Sequence, residues 1–235
     1  MWAGAGMSLQ AGLPSAKVFT ETILMRLQEH DPGYTCGWHG GDLSVIASDL
    51  EKLLGTTSLR SAVVDLMALD STTSPPEAQL VAADLFDLIL TTNYDTLIER
   101  ADQHRRLAVV DGELDGSLPE PALIKLHGSL DNLDWLVLTQ QQLEQHARRR
   151  HHLLDVIRGE IRRRPLIAVG SSLRDPSIVA LFNECKPEIR GWLVSPLLGS
   201  VDALRAADWR LEPVVSTAED FFSGLVACLE TDSAS

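Results

Sequence analysis

Four short stretches of the chain combine residue types able to handle a charged substrate. The first, Gly4-Ala5-Gly6-Met7-Ser8, is followed by Gly12-Leu13-Pro14 and then by an amphipathic helix. A glycine-rich turn opening a helix presents backbone N–H groups unblocked by any Cβ, where a phosphate or pyrophosphate can sit, and the helix dipole adds positive potential there. The second, Thr91-Thr92-Asn93-Tyr94-Asp95, follows an apolar run read as a strand. Open α/β sheets bind ligands outside the carboxyl ends of their strands, although capping of the next helix by Asn93 or Asp95 explains the same residues. The third, Lys125-Leu126-His127-Gly128-Ser129, sets an imidazole at another strand end, beside a glycine that lets a second group come close. Such a histidine can transfer protons near neutral pH, and a purely structural histidine is the plainer alternative. The fourth, Gly170-Ser171-Ser172-Leu173-Arg174-Asp175, is a small polar turn before a helix capped by Asp175 or Ser172. It can hold a second phosphate or a ribose hydroxyl.

These residues need a sheet to bring them together. Apolar runs at Leu85–Thr91, Leu107–Val110, Leu123–Leu126, Pro165–Gly170, Gly191–Ser195 and Arg210–Val215 read as strands, several apolar on consecutive residues as strands buried on both faces should be. Helical patterns alternate with them. Phe19, Ile23, Leu24 and Leu27 line one face of a helix after Pro14, Asp95–Asp102 opens another, and Thr217–Leu229 closes the chain. This rhythm predicts an α/β fold, a Rossmann-like parallel sheet with helices on both faces, as one domain over residues 1–235. Residues 41–83 read as a helical insertion beside the sheet, with helices at Leu43–Leu54, Leu59–Leu69 and Glu77–Ala83 joined by Gly55-Thr56-Thr57 and Ser71–Pro76. A long helix from Gln140 to Arg164 carries seven arginines. Its apolar stripe is Leu143, Ala147, Leu154, Ile157 and Ile161, with most arginines spread around the rest, which predicts a solvated helix rather than a nucleic-acid groove. Arg150 falls inside the stripe, where it must snorkel, pair with an acid or face a subunit contact.

Composition narrows the function classes. The 235 residues carry 20 Lys+Arg against 33 Asp+Glu, a formal charge of −13. Phosphate backbones and anionic lipids repel such a chain at long range, so neither nucleic acid nor membrane is expected as a partner. No apolar run approaches the roughly 18 residues of a membrane span. The N-terminus lacks the basic segment and apolar stretch of a secretory signal. Cys36, Cys185 and Cys228 are odd in number, far apart and include no C-x-x-C pair. That pattern predicts a reducing cytoplasm, no disulfide framework and no metal site.

Taken in order, GAGxS-x₃-G-L-P, TTNYD, KLHGS and GSSLRD resemble the sirtuin-like (silent-information-regulator-type) domain family over Gly4 to about Phe222. The likeness is greatest to the bacterial branch whose members hydrolyse NAD in anti-phage defence, which includes Thoeris effectors and the partners of short Argonautes and helicase-type ATPases. The resemblance implies NAD as the substrate. Gly4, Ala5, Gly6, Ser8 and Pro14 would surround its diphosphate. Asn93 and Asp95, with Thr92, match the motif that contacts the nicotinamide-side ribose and carboxamide, and His127 matches the catalytic base. Gly170, Ser171 and Ser172 match the turn on the adenosine side, Ser195 ends a strand where ribose contacts are made, and Asp175 is left as a helix cap. Deacylating members continue past the glycines with Asp-Phe-Arg, where this chain has Ser15-Ala16-Lys17, and they carry a four-cysteine zinc module that three dispersed cysteines cannot build. Both departures favour cleavage of NAD with water as acceptor over peptide deacylation.

The implied enzyme is an NAD glycohydrolase, triggered by homo-oligomerisation or by a separately encoded partner of the helicase-type ATPase or Argonaute-like kind. A non-catalytic sensor of NAD or ADP-ribose is the alternative, though a sensor would need neither Asn93 nor His127. Only Met1, Trp2 and Ala3 precede Gly4, against the five or six residues usual for the strand before such a turn. A longer native N-terminus or a partner covering the gap is therefore expected.

Overall fold

The computed structural model of the chain describes residues 1–35, 42–70, 72–109 and 118–233. Its strands are β1 (Trp2–Ala3), β2 (Leu88–Thr91), β3 (Leu107–Val109), β4 (Ala122–Lys125), β5 (Ile167–Val169), β6 (Gly191–Val194) and β7 (Leu211–Val214). They form one sheet in the order β3-β4-β2-β1-β5-β6-β7, and neighbours pair in parallel throughout. Ile124, Leu90, Trp2, Ala168 and Leu193 stand in register across five strands. Because side chains alternate along a strand, this row faces one layer while its neighbours face the other.

On the first face lie α7 (His151–Arg163), α8 (Pro176–Cys185) and α9 (Ser200–Asp208), which contribute Leu153, Ile157, Ile161, Phe182 and Ala206 to the core. Trp2 meets Phe182 edge-on, with ring centroids 5.8 Å apart. On the second face Ala3, Ile89, Leu123, Val169 and Val194 meet α4 (Glu77–Leu85), α5 (Leu97–Ala101) and α10 (Ala218–Ser233). A separate apolar cluster joins α1 (Ala16–His30), α2 (Leu43–Leu54) and α3 (Thr56–Leu66), with Phe19, Ile23, Ile46, Leu50, Leu59 and Val63 at its centre.

The α/β architecture, with helices on both faces of a parallel sheet, is as expected, and several details differ. Leu85 ends α4 rather than starting β2, so the last helix of the expected insertion is the crossover that packs on the sheet, while α2 and α3 pack with α1. Gly41 and Ser71 of the expected insertion and Val110 of the expected strand Leu107–Val110 lie outside the described residues, as does Cys36. The Gln140–Arg164 segment is two helices, α6 (Gln140–Arg149) and α7, broken at Arg150. Ile157 and Ile161 of the expected stripe are buried, and Leu153 is buried beside a half-buried Leu154. Arg150 itself is buried. The arginines of α7 face acids and helix ends: Arg158 pairs with Asp155 and Glu184, Arg163 with Glu160, and Arg162 donates to the Cys185 carbonyl at the end of α8. No described helix is long and apolar enough to cross a membrane.

β1 is short, yet it is no edge. Trp2 and Ala3 pair with β2 on one side and β5 on the other. The chain runs from β1 towards β2, β3 and β4 on one side, then crosses back to β5, β6 and β7. The carboxyl end of β1 is thus the point where the connections diverge, the place where an open α/β sheet leaves a crevice.

Candidate active site

All four motifs emerge at that crevice, because each follows one of the central strands β1, β2, β4 and β5. Gly4–Ser8 does not lead straight into α1. Residues Ala5–Ala11 form a 3₁₀ helix that ends at Gly12 in the left-handed region, and α1 starts after Ser15, whose hydroxyl caps the Val18 N–H. Short 3₁₀ turns suit a loop that must stay tight against its neighbours. The glycines serve that tightness. A Cβ on Gly4 would lie 2.5 Å from the Gly170 oxygen, and one on Gly6 would lie 2.7 Å from the Gly170 Cα. Gly170 itself has φ +66, and its own Cβ would meet the Met7 nitrogen at 2.7 Å. Gly4 N donates to Val169 O at 2.9 Å and Gly6 N to Gly170 O at 2.8 Å. The first and fourth motifs therefore interlock through backbone, and this contact alone requires glycine at all three positions.

Ser8 is the hub that joins Asn93 and Asp95. Its buried hydroxyl donates to Asp95 Oδ2 at 3.0 Å and accepts from Gln79 Nε2 at 3.0 Å and from Asn93 Nδ2 at 3.4 Å. That is the full capacity of one hydroxyl. Asn93 Nδ2 also donates to the Gly4 carbonyl at 3.1 Å. A carbonyl only accepts, so this bond fixes which side of the amide is nitrogen and leaves Oδ1 as the group with acceptor capacity. The Asn93 N–H is held by Thr91 Oγ1 at 3.0 Å, and the Thr91 hydroxyl donates to Ala3 O at 2.8 Å. Asp95 has a second duty just ahead of α5, accepting from Leu97 N at 3.1 Å, and the helix expected over Asp95–Asp102 spans Leu97–Ala101.

His127 follows β4, the neighbour of the strand that carries Asn93, and is buried. Its carbonyl accepts from Val137 N, whose own carbonyl accepts from the Tyr94 hydroxyl at 3.1 Å, and the Tyr94 and His127 rings lie 6.4 Å apart. Gly128 follows with φ +88, where a Cβ would strike the Trp135 oxygen at 2.2 Å, so the glycine admits the Trp135–Val137 segment. Burial holds the His127 pKa below its ordinary value, against the nearby Asp175 carboxylate and with help from Arg150. The imidazole is therefore neutral at neutral pH, the form that accepts a proton.

The remaining expected residues stand further out. Ser171 Oγ accepts from Leu173 N at 3.2 Å, Ser172 is exposed, and Ser195 hydrogen bonds with Leu197 inside its own turn. Thr92 and Pro14 are half-buried. Other members escaped sequence reasoning. Gln79 sits on α4, 71 residues from Ser8, and carries no motif. Lys125 left a usable signal, since a lysine in an apolar strand must find a partner. Its ammonium, fully buried, meets Glu99 Oε1 at 2.8 Å and also donates to the carbonyls of Tyr94 and Asp95. It thereby ties the strand bearing His127 to the loop bearing Asn93.

A comparison with family models matches residues 87–221 to the SIR2-like domain. No curated protein matches the chain. Among solved structures, a crystal structure of Sir2 in complex with the inhibitor EX-527, 2'-O-acetyl-ADP-ribose and a deacetylated p53 peptide is similar, at 14% identity and a TM-score of 0.50, with 100% of this chain and 93% of that one covered. At that identity the likeness speaks for the fold. The family match spans more than half of the chain and includes the Asn93, His127 and Gly170–Asp175 motifs: this chain belongs to the SIR2-like domain family.

Proposed function

We propose that this chain is an NAD glycohydrolase, which cleaves NAD to nicotinamide and ADP-ribose or a cyclised product. The observation that carries the reading is the pairing, at one crevice, of a fixed carboxamide and a neutral buried imidazole. Asn93 is locked by Gly4, Ser8 and Thr91 with its oxygen left as acceptor, and His127 follows the neighbouring strand with its pKa lowered by burial. The Sir2 relative, whose complex contains 2'-O-acetyl-ADP-ribose, supports NAD chemistry for the family.

The chemistry needs little from the protein. The bond between ribose C1′ and the pyridinium nitrogen breaks with its electron pair going to nitrogen, so nicotinamide leaves as a neutral molecule. Water then adds to the oxocarbenium-like C1′ and loses a proton. Asn93 holds the ribose or that water, His127 accepts the proton, and Asp95, fixed by Ser8 and Leu97 N, orients the carboxamide. A positioned general base contributes typically about 10²–10⁴-fold, and positioning supplies much of the remainder. The glycine-bearing loops Gly4–Ser8 and Gly170–Ser172 hold the diphosphate and the adenosine side, and Ser195 supplies a ribose contact.

In this reading the protein is a triggered defence effector that depletes NAD after homo-oligomerisation or on binding a separately encoded helicase-type ATPase or Argonaute-like partner. The apolar side chains exposed around α9, Leu197, Val201, Leu204 and Val215, support assembly. The test is nicotinamide release from NAD by the purified chain, alone and co-expressed with genes encoded beside it. Asn93→Ala and His127→Ala should each lower release by at least about 10²-fold, with unchanged circular dichroism. Full turnover in either variant refutes the assignment, and tight NAD binding without turnover in every preparation points to a sensor instead.

A further inference from the structure

The mechanism leaves two groups at the mouth of the crevice unused. Asp175 caps α8 by accepting from Ser177 N at 2.8 Å, with Pro176 between them as the first helical residue. The same carboxylate reaches further. Asp175 Oδ1 accepts the Ser177 hydroxyl at 2.5 Å, and Asp175 Oδ2 lies 3.8 Å from His127 Nδ1. Ser177 Oγ in turn lies 3.1 Å from His127 Nε2. Both nitrogens of the buried ring thus face one helix terminus, 48 residues along the chain from His127 in the case of Asp175.

We propose that Asp175 and Ser177 are positioning residues for His127, which fix its neutral tautomer with the proton on Nε2 and make Nδ1 the nitrogen that accepts a proton. The proton count decides the tautomer. A carboxylate can only accept, so the one Ser177 O–H proton points to Asp175. The Ser177 oxygen then faces Nε2 with lone pairs, which leaves Nε2–H as the donor of that contact. Nδ1 keeps its own lone pair, and at 3.8 Å the Asp175 oxygen is too far to share a hydrogen bond with it. It is close enough to stabilise a positive charge arriving there. The charged and titratable groups around the ring are Asp175 from α8, Arg150 from the break between α6 and α7, and the Tyr94 phenol after β2. Arg150 opposes protonation, the buried phenol stays neutral, and Asp175 is the group that favours the imidazolium.

This inference rests on the reading of His127 as the base, and its test does not depend on turnover. Imidazole ¹⁵N and ¹H shifts of the full chain, with His127 assigned by its loss in His127→Gln, report tautomer and pKa directly. The wild type should show the Nε2–H tautomer. Ser177→Ala should move the population towards Nδ1–H. Asp175→Asn keeps a competent helix cap and removes only the charge, so it should lower the His127 pKa by about one unit. Asp175→Ser, another good cap, should do the same. A wild-type Nδ1–H tautomer, or a His127 pKa unmoved in Asp175→Asn, overturns the proposal. If the shifts move as expected while His127→Ala retains NAD turnover, the base assignment fails and the positioning stands.

Discussion

Replacing Lys125 by methionine tests whether the crevice is held by a buried charge. The ammonium sits 2.8 Å from Glu99 Oε1, and both side chains are almost wholly shielded from water, at 0% and 7% exposure. Removing one member of such a pair typically costs about 3–5 kcal/mol, because the other charge stays buried without its partner. Glu99 has no reserve, since its Oε2 is buried with no hydrogen-bond partner among the described residues. Against a typical stability of about 5–15 kcal/mol, Lys125→Met should leave a chain close to its folding limit. The double variant Lys125→Met/Glu99→Leu buries no charge. It retains only the loss of a donor to the Tyr94 and Asp95 carbonyls, so it should recover about 2 kcal/mol or more over the single variant.

The pH dependence carries a sign that can be checked. Burial raises the Glu99 pKa above its ordinary value of 4.5, and Lys125 works against the rise. A raised folded-state pKa means that the folded chain binds this proton more tightly than the unfolded chain does. Its contribution is complete below 4.5 and disappears as pH climbs through the folded value. Without Lys125 the folded value climbs further, so Lys125→Met should be less impaired at pH 6 than at pH 8.5. Urea unfolding followed by tryptophan fluorescence at these two pH values measures it, both above the sequence pI of 4.9 where solubility fails. A Lys125→Met deficit under about 1 kcal/mol at pH 8.5, or a double variant no better than the single one, refutes the reasoning.

Gly6→Ala forces a Cβ to within 2.7 Å of the Gly170 backbone and should cost more than about 1 kcal/mol in urea unfolding, together with loss of NAD binding by calorimetry. Gly12→Ala meets no atom within 4 Å and bears only the strain of φ +87, so its loss should stay near about 1 kcal/mol. His127 has a depressed pKa, so its share of stability is present above the ordinary 6.5 and is lost as pH falls through the lower folded value. His127→Asn should flatten that part of the stability profile, and wild-type turnover should persist below pH 6.5 before its acid limb. Burial pushes the Cys185 thiol up to about 11, whereas Cys228 is exposed, so a thiol reagent at pH 8 should label Cys228 before Cys185 by mass spectrometry.

Strand positions and motif placement were legible because parallel strands buried on both faces are apolar on consecutive residues, and because chemistry collects at their carboxyl ends. Leu85 is misplaced because the helix end runs into β2 with no glycine or proline between them, and Phe86 and Asp87 alone separate the two. The break at Arg150 was invisible to a wheel that assumes one phase, although the buried arginine inside the stripe marked the spot. In the site, Asn93, Asp95 and His127 were visible in their motifs, and their supports were not. Gln79, Glu99 and Ser177 come from helices whose sequence shows only that they are helices. Their roles depend on which strand each helix lies over, and tertiary pairing is not encoded in local spacing.

The supports also divide the crevice into two mechanical halves. On the side of β1, β2 and β4, side chains from Gln79, Ser8, Asn93, Asp95, Lys125 and Glu99 form a buried and closely connected network. Buried polar groups of this kind rigidify what they touch, since each lost partner leaves an unsatisfied group in a medium of low dielectric. On the side of β5 and β6 the loop past the glycine interlock is held by one pair, Arg174 with Asp202 at 2.7 Å, in which Asp202 is buried and Arg174 is 63% exposed. A single pair with its arginine in water holds less firmly than a network buried on every side. The half assigned to bond cleavage is thus preorganised before any ligand arrives, which is where an error of one ångström costs rate. The half assigned to adenosine can adjust. A trigger acting through the β5–α9 side would then alter how NAD is gripped and, through Asp175 and Ser177 at the start of α8, how His127 is set, with Asn93 left in its buried network, so activation should appear in KM and kcat together.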